Sequence, residues 1–457
     1  MKHSSVKRWS VLVLAALVMM AGYVFWDIVS PLSTSLKAPL SEGGYGWTAA
    51  EYGFYAGSYS IFNIFFLMLF FGGIILDKMG IHFTGLLTTG AMLLGALINY
   101  YAITRIPSQN VSNLTLTLFG MIPSPLKTQV LVAAIGFGLF GVGCDITGIT
   151  VSKVITKWFT GHELASAMGI QMALARLGTA SALSFSPLIA QTWGLSAPIL
   201  AGAIVLLIGF VLFIIYCPID RQFDQAALHP TINHQPSTNN FSFRDFVSVL
   251  RNSGFWLIAI LCLCFYGSIR PFMKFASDLM VNKYGVAETT AGWIVAAIPY
   301  GTIVLTPLFG SLYDRLGHGI RLMFIGCCIL AACHFCLMMP FIHEVWFALV
   351  VMIFVGIAFS LVPSALWPCV PKIVPLAQLG TAYSIIYYIQ NLGLMLIPWL
   401  VGDIIGRHTA ADGTIDFTLP MLIFLLLAIA ACVMALLILF IDHKKDYGLE
   451  KANITAK

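Results

Sequence analysis

The sequence predicts an all-α membrane protein, twelve transmembrane helices arranged as two pseudo-symmetric bundles of six. Three observations carry that prediction. Of the 457 residues, 59% are apolar and only 9% charged, where a soluble domain carries about 25% charged residues; mean hydropathy is +0.91. Twelve apolar runs are each long enough to cross a ~30 Å hydrocarbon core at ~1.5 Å per residue. One long polar stretch divides them six from six, and a short turn motif recurs at the same place in both sets.

The runs fall at about 10–33, 49–76, 83–104, 130–154, 163–188, 197–217, 254–280, 289–313, 320–340, 345–367, 376–403 and 418–441. The first follows MKHSSVKRWS, which has the charged start of a signal peptide but no small-residue cleavage site, so it is expected to stay as span 1. The polar stretch has HPTINHQPSTNN at its heart. The expected organisation is an N-terminal bundle over 1–217, an inter-bundle linker over 218–253, a C-terminal bundle over 254–443 and a tail over 444–457. Lysine and arginine set the orientation. Sixteen fall on loops of one side and five on the other, with Arg176, Arg270 and Lys274 left near membrane depth, which accounts for all 24. The positive-inside rule then places both termini, the linker and the tail in the cytoplasm. The net charge of +5 follows from this loop bias and carries no implication of a nucleic-acid partner.

The turn after span 2 reads Gly73-Ile-Ile-Leu-Asp77-Lys78-Met-Gly80, and that after span 8 reads Gly310-Ser-Leu-Tyr-Asp314-Arg315-Leu-Gly317. Both fit G-x-x-x-D-(K/R)-x-G. The glycines permit close approach and a tight turn. The carboxylate is expected to cap a neighbouring helix N-terminus while the base stays at the headgroups. A single copy would be an ordinary helix-joining turn; two at matched positions are the mark of an internal repeat.

Ions and polar groups within the spans are costly and mark candidate function. Span 1 carries Tyr23, Trp26, Asp27 and Ser30 on one helical face. In span 4, Asp145 shares a face with Gly138, Gly141, Gly148 and Ser152; in span 5, Arg176 shares one with Gly169 and Ala173. The bland reading is a buried pair of ions that locks two helices, and the functional one is a substrate site. Span 7 spaces Tyr266, Arg270, Lys274 and Asp278 four residues apart. Arg270 is the deeper of these ions, and Lys274 with Asp278 reads as an i,i+4 ion ladder near the outer interface. Span 8 has Pro299-Tyr300-Gly301 as an expected kink. Span 10 ends in Trp367-Pro-Cys-Val-Pro-Lys-Ile-Val-Pro, expected to be a broken helix end. Span 11 offers Tyr383, Tyr387, Gln390 and Asn391 at helical spacing, either bonding helix to helix or facing a ligand. A carboxylate for an ammonium, guanidinium for a carboxylate and aromatic walls together suit a small zwitterion.

Other functions find no support. Nearly all of the ten cysteines fall in apolar runs and read as core residues, and Cys333-His-Phe-Cys336 has no second pair, so neither a disulfide framework nor a metal site is expected. There is no Gly-rich phosphate loop and no nucleophile–base arrangement. The expectation is a non-enzyme that needs no cofactor.

The doubled turn and the six-plus-six spans resemble the major facilitator superfamily, whose halves rock about a central site. Within it, the chain is similar to the lysosomal dipeptide uniporter family, major facilitator superfamily domain-containing protein one. That likeness rests on four stretches. They are Phe140-Gly-Val-Gly-Cys-Asp145 running on to Lys157-Trp-Phe-Thr-Gly-His-Glu163 and Met168 to Gly178; Pro375 to Tyr383 with Ile389-Gln-Asn-Leu-Gly-Leu394; Phe71-Gly-Gly-Ile-Ile-Leu-Asp77; and Tyr266 with Pro271-Phe272. The resemblance implies that Asp145 and Arg176 hold the amino and carboxyl ends of a peptide. This chain departs from the family in having Asp145 for a glutamate and Arg270 for an apolar residue. It also lacks an acidic dileucine sorting signal near its N-terminus, which favours a plasma membrane over a lysosomal one. The reading is a monomeric secondary carrier that moves dipeptides or similar zwitterions by alternating access, facilitatively, within the lipid bilayer. Alternatives are an organic-anion exchanger or a proton-coupled symporter of the same fold and, in another class, a non-transporting membrane receptor.

Overall fold

A computed structural model describes residues 5–112, 125–159, 162–227, 248–375, 378–410 and 414–452. The described chain is almost wholly helical: α1 (Ser5–Asp27), α2 (Ser33–Lys37), α3 (Ala49–Ser58), α4 (Ile61–Phe65), α5 (Met68–Arg105), α6 (Thr128–Phe159), α7 (Leu164–Trp193), α8 (Ala197–Ala227), α9 (Ser253–Tyr284), α10 (Glu288–Leu316), α11 (Gly319–Met338), α12 (Val345–Ile373), α13 (Leu379–Arg407) and α14 (Thr418–Lys445). Among the described residues, eleven helices are long and apolar enough to cross a membrane. The twelfth crossing is the broken second span, built from α3, α4 and the start of α5. The chain turns at Tyr59 and Ser60, and again at Phe66 and Leu67, where Leu67 takes a left-handed φ of 52°. The remainder of span 2 runs into span 3 through Gly80, whose φ of 81° interrupts α5.

Two expectations change here. The prolines of span 10 do not break it, since α12 continues through Pro363, Pro368 and Pro371 to Ile373. At the kink expected in span 8, α10 runs on through Pro299 and Pro307 to Leu316. The helix of span 6 extends to Ala227, ten residues into the expected linker; residues 228–247, most of that linker, lie outside the described residues.

The glycine face of α6 does what small residues do in a bilayer, where backbones must approach closely to gain packing energy. A Cβ at Gly138 would lie 3.1 Å from the Ser58 carbonyl oxygen at the end of α3, and one at Gly141 would collide with the Tyr59 carbonyl. Span 2 thus breaks directly against the bare face that carries Asp145.

The first and last described residues, Ser5 and Ala452, lie at one end of the bundle, here the terminal end; the other is the distal end. The hydrogen bonds and ion pairs joining the bundles run from mid-membrane to the distal end. Thr34 Oγ1 donates to Asp278 at 2.9 Å, and Lys37 pairs with the same carboxylate. The Ser35 backbone N–H donates to Glu288 at 3.1 Å. Trp399 Nε1 donates to the Phe54 carbonyl at 3.2 Å. Gly53 and Gly402 bring α3 and α13 so close that a Cβ on Gly402 would sit 2.8 Å from Gly53 Cα. Towards the terminal end, a Cβ at Gly73, Gly169, Gly310 or Gly380 would meet nothing within 4 Å. Ile170, Met172, Val304 and Leu308 are exposed there.

The two repeated turns share one backbone feature. Gly80 and Gly317, the last glycines of the two motifs, both have positive φ, 81° and 71°. Only glycine adopts that conformation without strain. Gly73 and Gly310 make no close approach in this conformation. The expected cap also differs: Asp77 accepts from Lys153 Nζ on α6 at 2.7 Å in an exposed pair. In the C-terminal half, Glu450 of the tail does the capping, accepting from the N–H groups of Ile320 and Arg321 at 2.8 and 3.2 Å.

Candidate functional site

The break in span 2 aims polar side chains at Asp145. Tyr59 Oη donates to Asp145 Oδ1 at 2.6 Å, and Asn63 Nδ2 donates to Oδ2 at 2.7 Å. Asn391 Nδ2 of α13 reaches Oδ2 at 3.4 Å from the other bundle, while its Oδ1 accepts from Ser60 Oγ at 2.6 Å. The carboxylate is therefore held by neutral donors from both halves.

Across from it stands a group of cations. Asp27, at the end of α1, is 1% exposed and draws Lys274 and Arg270 of α9, 8% and 7% exposed. Lys274 Nζ donates to Asp27 Oδ1 at 2.7 Å, to the Trp26 carbonyl at 2.6 Å and to Ser30 Oγ at 3.0 Å. Thr179 of α7 donates to Asp27 Oδ2 at 3.0 Å, and Arg270 Nη1 stands 3.8 Å from the same oxygen. The Tyr52 hydroxyl donates to the Lys274 carbonyl at 2.7 Å. Arg176 is 8% exposed, lies 4.3 Å from the Phe359 ring centroid, and its Nη1 has no hydrogen-bond partner.

Aromatic rings connect these groups. Arg270 lies over Trp26 at 4.6 Å, Trp26 stacks on Tyr59 at 4.3 Å with planes 2° apart, and Tyr59 bonds Asp145. Tyr23 is within electrostatic reach of Arg176, Arg270 and Asp145 together. In the C-terminal half, Trp367 Nε1 donates to the Tyr266 hydroxyl at 3.1 Å, Tyr383 donates to the Trp367 carbonyl at 3.3 Å, and Tyr387 stacks on Trp367 at 5.1 Å. Gln390 accepts from Cys262 Sγ at 3.8 Å. A small void of about 10 Å³, room for about one water molecule, lies between the bundles, lined by Trp26, Asp27 and Tyr59 on one side and Arg270, Lys274 and Leu394 on the other. Asp145 reaches its wall only through Tyr59.

The structure brings together Trp26, Asp27, Arg270 and Asn391 with Asp145, and sets Tyr266, Trp367, Tyr383 and Tyr387 as one aromatic wall. It corrects the ion ladder. Lys274 pairs with Asp27 rather than Asp278, and Asp278 pairs with Lys37, because folding puts α1 and α2 of the first bundle against α9 of the second. Asp145 and Arg176 are not an ion pair, so the bland reading of a helix-locking pair fails on geometry. Tyr59, Asn63 and Thr179 are site residues that sequence reasoning passed over. Their signal was present as Ser58-Tyr59-Ser60 and Asn63, polar groups interrupting an apolar run. Cys328, expected in the core, is exposed on the bundle surface, and Cys336 and Cys432 are half-buried. Among the described residues no group of three or more His, Cys, Asp or Glu is placed to hold a metal.

Known proteins place this geometry in context. The chain is 27% identical over 288 residues to "Lysosomal dipeptide transporter MFSD1" of Bos taurus, covering 60% of this chain and 59% of the relative. It is 29% identical over 283 residues to the protein of the same description from Homo sapiens, covering 59% and 58%. The matched stretch thus spans less than two thirds of those relatives. Among solved structures, the D-xylose-proton symporter superposes with a TM-score of 0.70 at 14% identity, covering 93% of this chain and 97% of that one. The model of the Major Facilitator Superfamily matches residues 101–277 and 266–453. By that match, and by two six-span bundles meeting at a central polar void, the chain belongs to the Major Facilitator Superfamily.

Proposed function

We propose that this multi-pass membrane transporter carries dipeptides or similar small zwitterions by alternating access between its bundles. The observation that carries the reading is a pair of unmatched ions: Asp145 is held by neutral donors alone, and Arg176 Nη1 has no hydrogen-bond partner among the described residues. A buried ion without a counter-ion is costly. A ligand with an ammonium at one end and a carboxylate at the other relieves both costs at once, and a dipeptide, ~7 Å end to end by chain geometry, is the smallest peptide of that kind. The likeness to relatives described as dipeptide transporters supports the same ligand class.

The distal seal and the open terminal end describe one state of a rocking cycle, with the terminal end facing the cytoplasm by the positive-inside rule. A plasma-membrane location and a facilitative, monomeric carrier complete the reading. Asp27 and Asp145 are the two carboxylates at which proton coupling would act. Uphill accumulation driven by an imposed pH gradient in proteoliposomes overturns the facilitative part.

The excess of buried cations favours one competing reading, an organic-anion carrier. Binding of a single dipeptide, measured with its amino end and then its carboxyl end blocked, decides between them. The dipeptide reading expects both blocks to weaken binding. If blocking the amino end changes nothing, the ligand is an anion, and if neither block matters the ions are structural.

A further inference from the structure

We propose that Arg270 makes this carrier select ligands bearing one net negative charge, acidic dipeptides above neutral or basic ones. The inference rests on the dipeptide reading and refines its ligand class.

It comes from a charge count. Five ionisable groups enter it: Asp27, Arg270 and Lys274 line the void, and Asp145 and Arg176 lie outside its lining. In their ordinary ionised forms, three cations face two carboxylates, which leaves one positive charge. A zwitterionic ligand cannot remove it, because its ammonium and carboxylate add nothing to the sum. Of the acids in the distal seal, Asp278 is offset by Lys37, and Glu288, held by the neutral donor Ser35, does not line the void.

Geometry identifies which cation is left over. Asp27 spends Oδ1 on Lys274 at 2.7 Å and Oδ2 on Thr179 at 3.0 Å. Arg270 stands off at 3.8 Å, the edge of ion-pair contact, and that is the one ion pair it makes among the described residues. Its guanidinium is 7% exposed and lines the void. Trp26 at 4.6 Å, Phe359 at 5.3 Å and Tyr23 at 5.7 Å surround it. Rings hold a guanidinium plane by cation–π attraction but leave its edge donors unsatisfied. A planar fork of donors, fixed in orientation and facing a void, matches a carboxylate in two-point contact. Arg176, the other under-satisfied cation, serves the carboxyl end of the peptide. Arg270 is then available for a side-chain carboxylate.

The test is calorimetric binding of Ala-Ala, Ala-Gln, Ala-Glu and Ala-Lys, with glutarate as a non-peptide diacid, to the purified full-length protein in nanodiscs. Ala-Gln and Ala-Glu differ by one charge at nearly constant shape. We expect Ala-Glu to bind tenfold or more tighter than Ala-Gln, with Ala-Lys the weakest; tenfold corresponds to about 1.4 kcal/mol. In Arg270→Gln the ratio of Ala-Glu to Ala-Gln affinity should fall to about one. Arg270→Lys should keep the sign of the preference and lose part of its size, because a point charge cannot make the two-point contact. Equal affinity of the wild-type protein for Ala-Glu and Ala-Gln, with Ala-Ala still bound, overturns this inference alone and does not depend on any variant folding. Equal weakening of both ligands in Arg270→Gln overturns it as well and makes Arg270 a strut of the seal. Binding of glutarate with no dipeptide bound overturns the dipeptide reading and this ligand class with it.

Discussion

At the distal end the two bundles touch through ion pairs and glycine-to-glycine backbone contact, whereas towards the terminal end matched glycines face open space. Asp27 with Lys274, Asp278 with Lys37 and Glu288 with Ser35 join the bundles at one end. Gly73, Gly169, Gly310 and Gly380 have no neighbour for a Cβ at the other. The contrast teaches how a seal can be firm and reversible at once. Burying an ion pair costs desolvation that its attraction only roughly repays. Such a seal adds little net stability when formed, yet each pair resists being half-broken. Two states of similar free energy need an interface of this kind rather than a large apolar one.

The largest effect is expected at Asp27. Asp27→Asn removes the one carboxylate that Lys274 and Arg270 share, and loss of one partner of a buried pair costs about 3–5 kcal/mol. Transport should fall a hundredfold or more, and a cysteine placed at Leu36 should become reactive from the distal side. Asp27→Asn with Lys274→Gln should recover much of the loss. Wild-type transport by the single variant would show that the distal ion pairs are not a latch.

Next come the unmatched ions. Asp145→Asn should remove the dependence of binding on a free amino end, and Arg176→Ala the dependence on a free carboxyl end. Each should cost ten- to a hundredfold in affinity, as expected for a hydrogen bond to a charged group worth about 1.5–3 kcal/mol. Arg176→Lys should restore little of it. Blocked-peptide binding curves that move in parallel for both variants would count against separate roles.

A steric wedge sharpens the comparison further. A Cβ at Gly402 would sit 2.6 Å from the Ala49 carbonyl oxygen, a backbone atom that cannot swing away. Gly402→Ala should therefore hold the distal end ajar and slow transport about tenfold while ligand still binds, in keeping with an overpacking cost of about 1–3 kcal/mol. Unchanged turnover would mean that the bundles tolerate a wider distal separation than the seal implies.

The smallest effect is expected at Asp77. Its pair with Lys153 is exposed, and such pairs are worth up to about 1 kcal/mol. Asp77→Ala should slow turnover a few-fold and leave affinity and thermal stability almost unchanged. A large loss of affinity at normal turnover would place this turn in the binding site.

How much of the site was legible can be read from single residues. Arg270 and Asp145 stood out because an ion in an apolar run is visible without any partner. Lys274 was misassigned to a local ladder because spacing of four residues is a local signal, and Asp27 is 247 positions away. The polar run Ser58-Tyr59-Ser60 with Asn63 interrupts span 2 but does not say which way these groups point: their significance depends on where the chain turns, and the glycine face of α6 leaves room for Tyr59 there.

The sequence by itself determined the membrane class, the six-plus-six spans, the doubled turn and the presence of ions in the core. Those features obey constraints that act within one segment: the thickness of a bilayer, the period of a helix and the need of Gly80 and Gly317 for positive φ. Only the tertiary structure decided that Asp145 is held by Tyr59, Asn63 and Asn391, that Asp27 bridges the bundles, and that Arg270 and Arg176 are left under-satisfied. Each of those outcomes joins groups 82 to 247 residues apart. Which charge meets which is settled by how helices cross, a property of packing that no single helix carries.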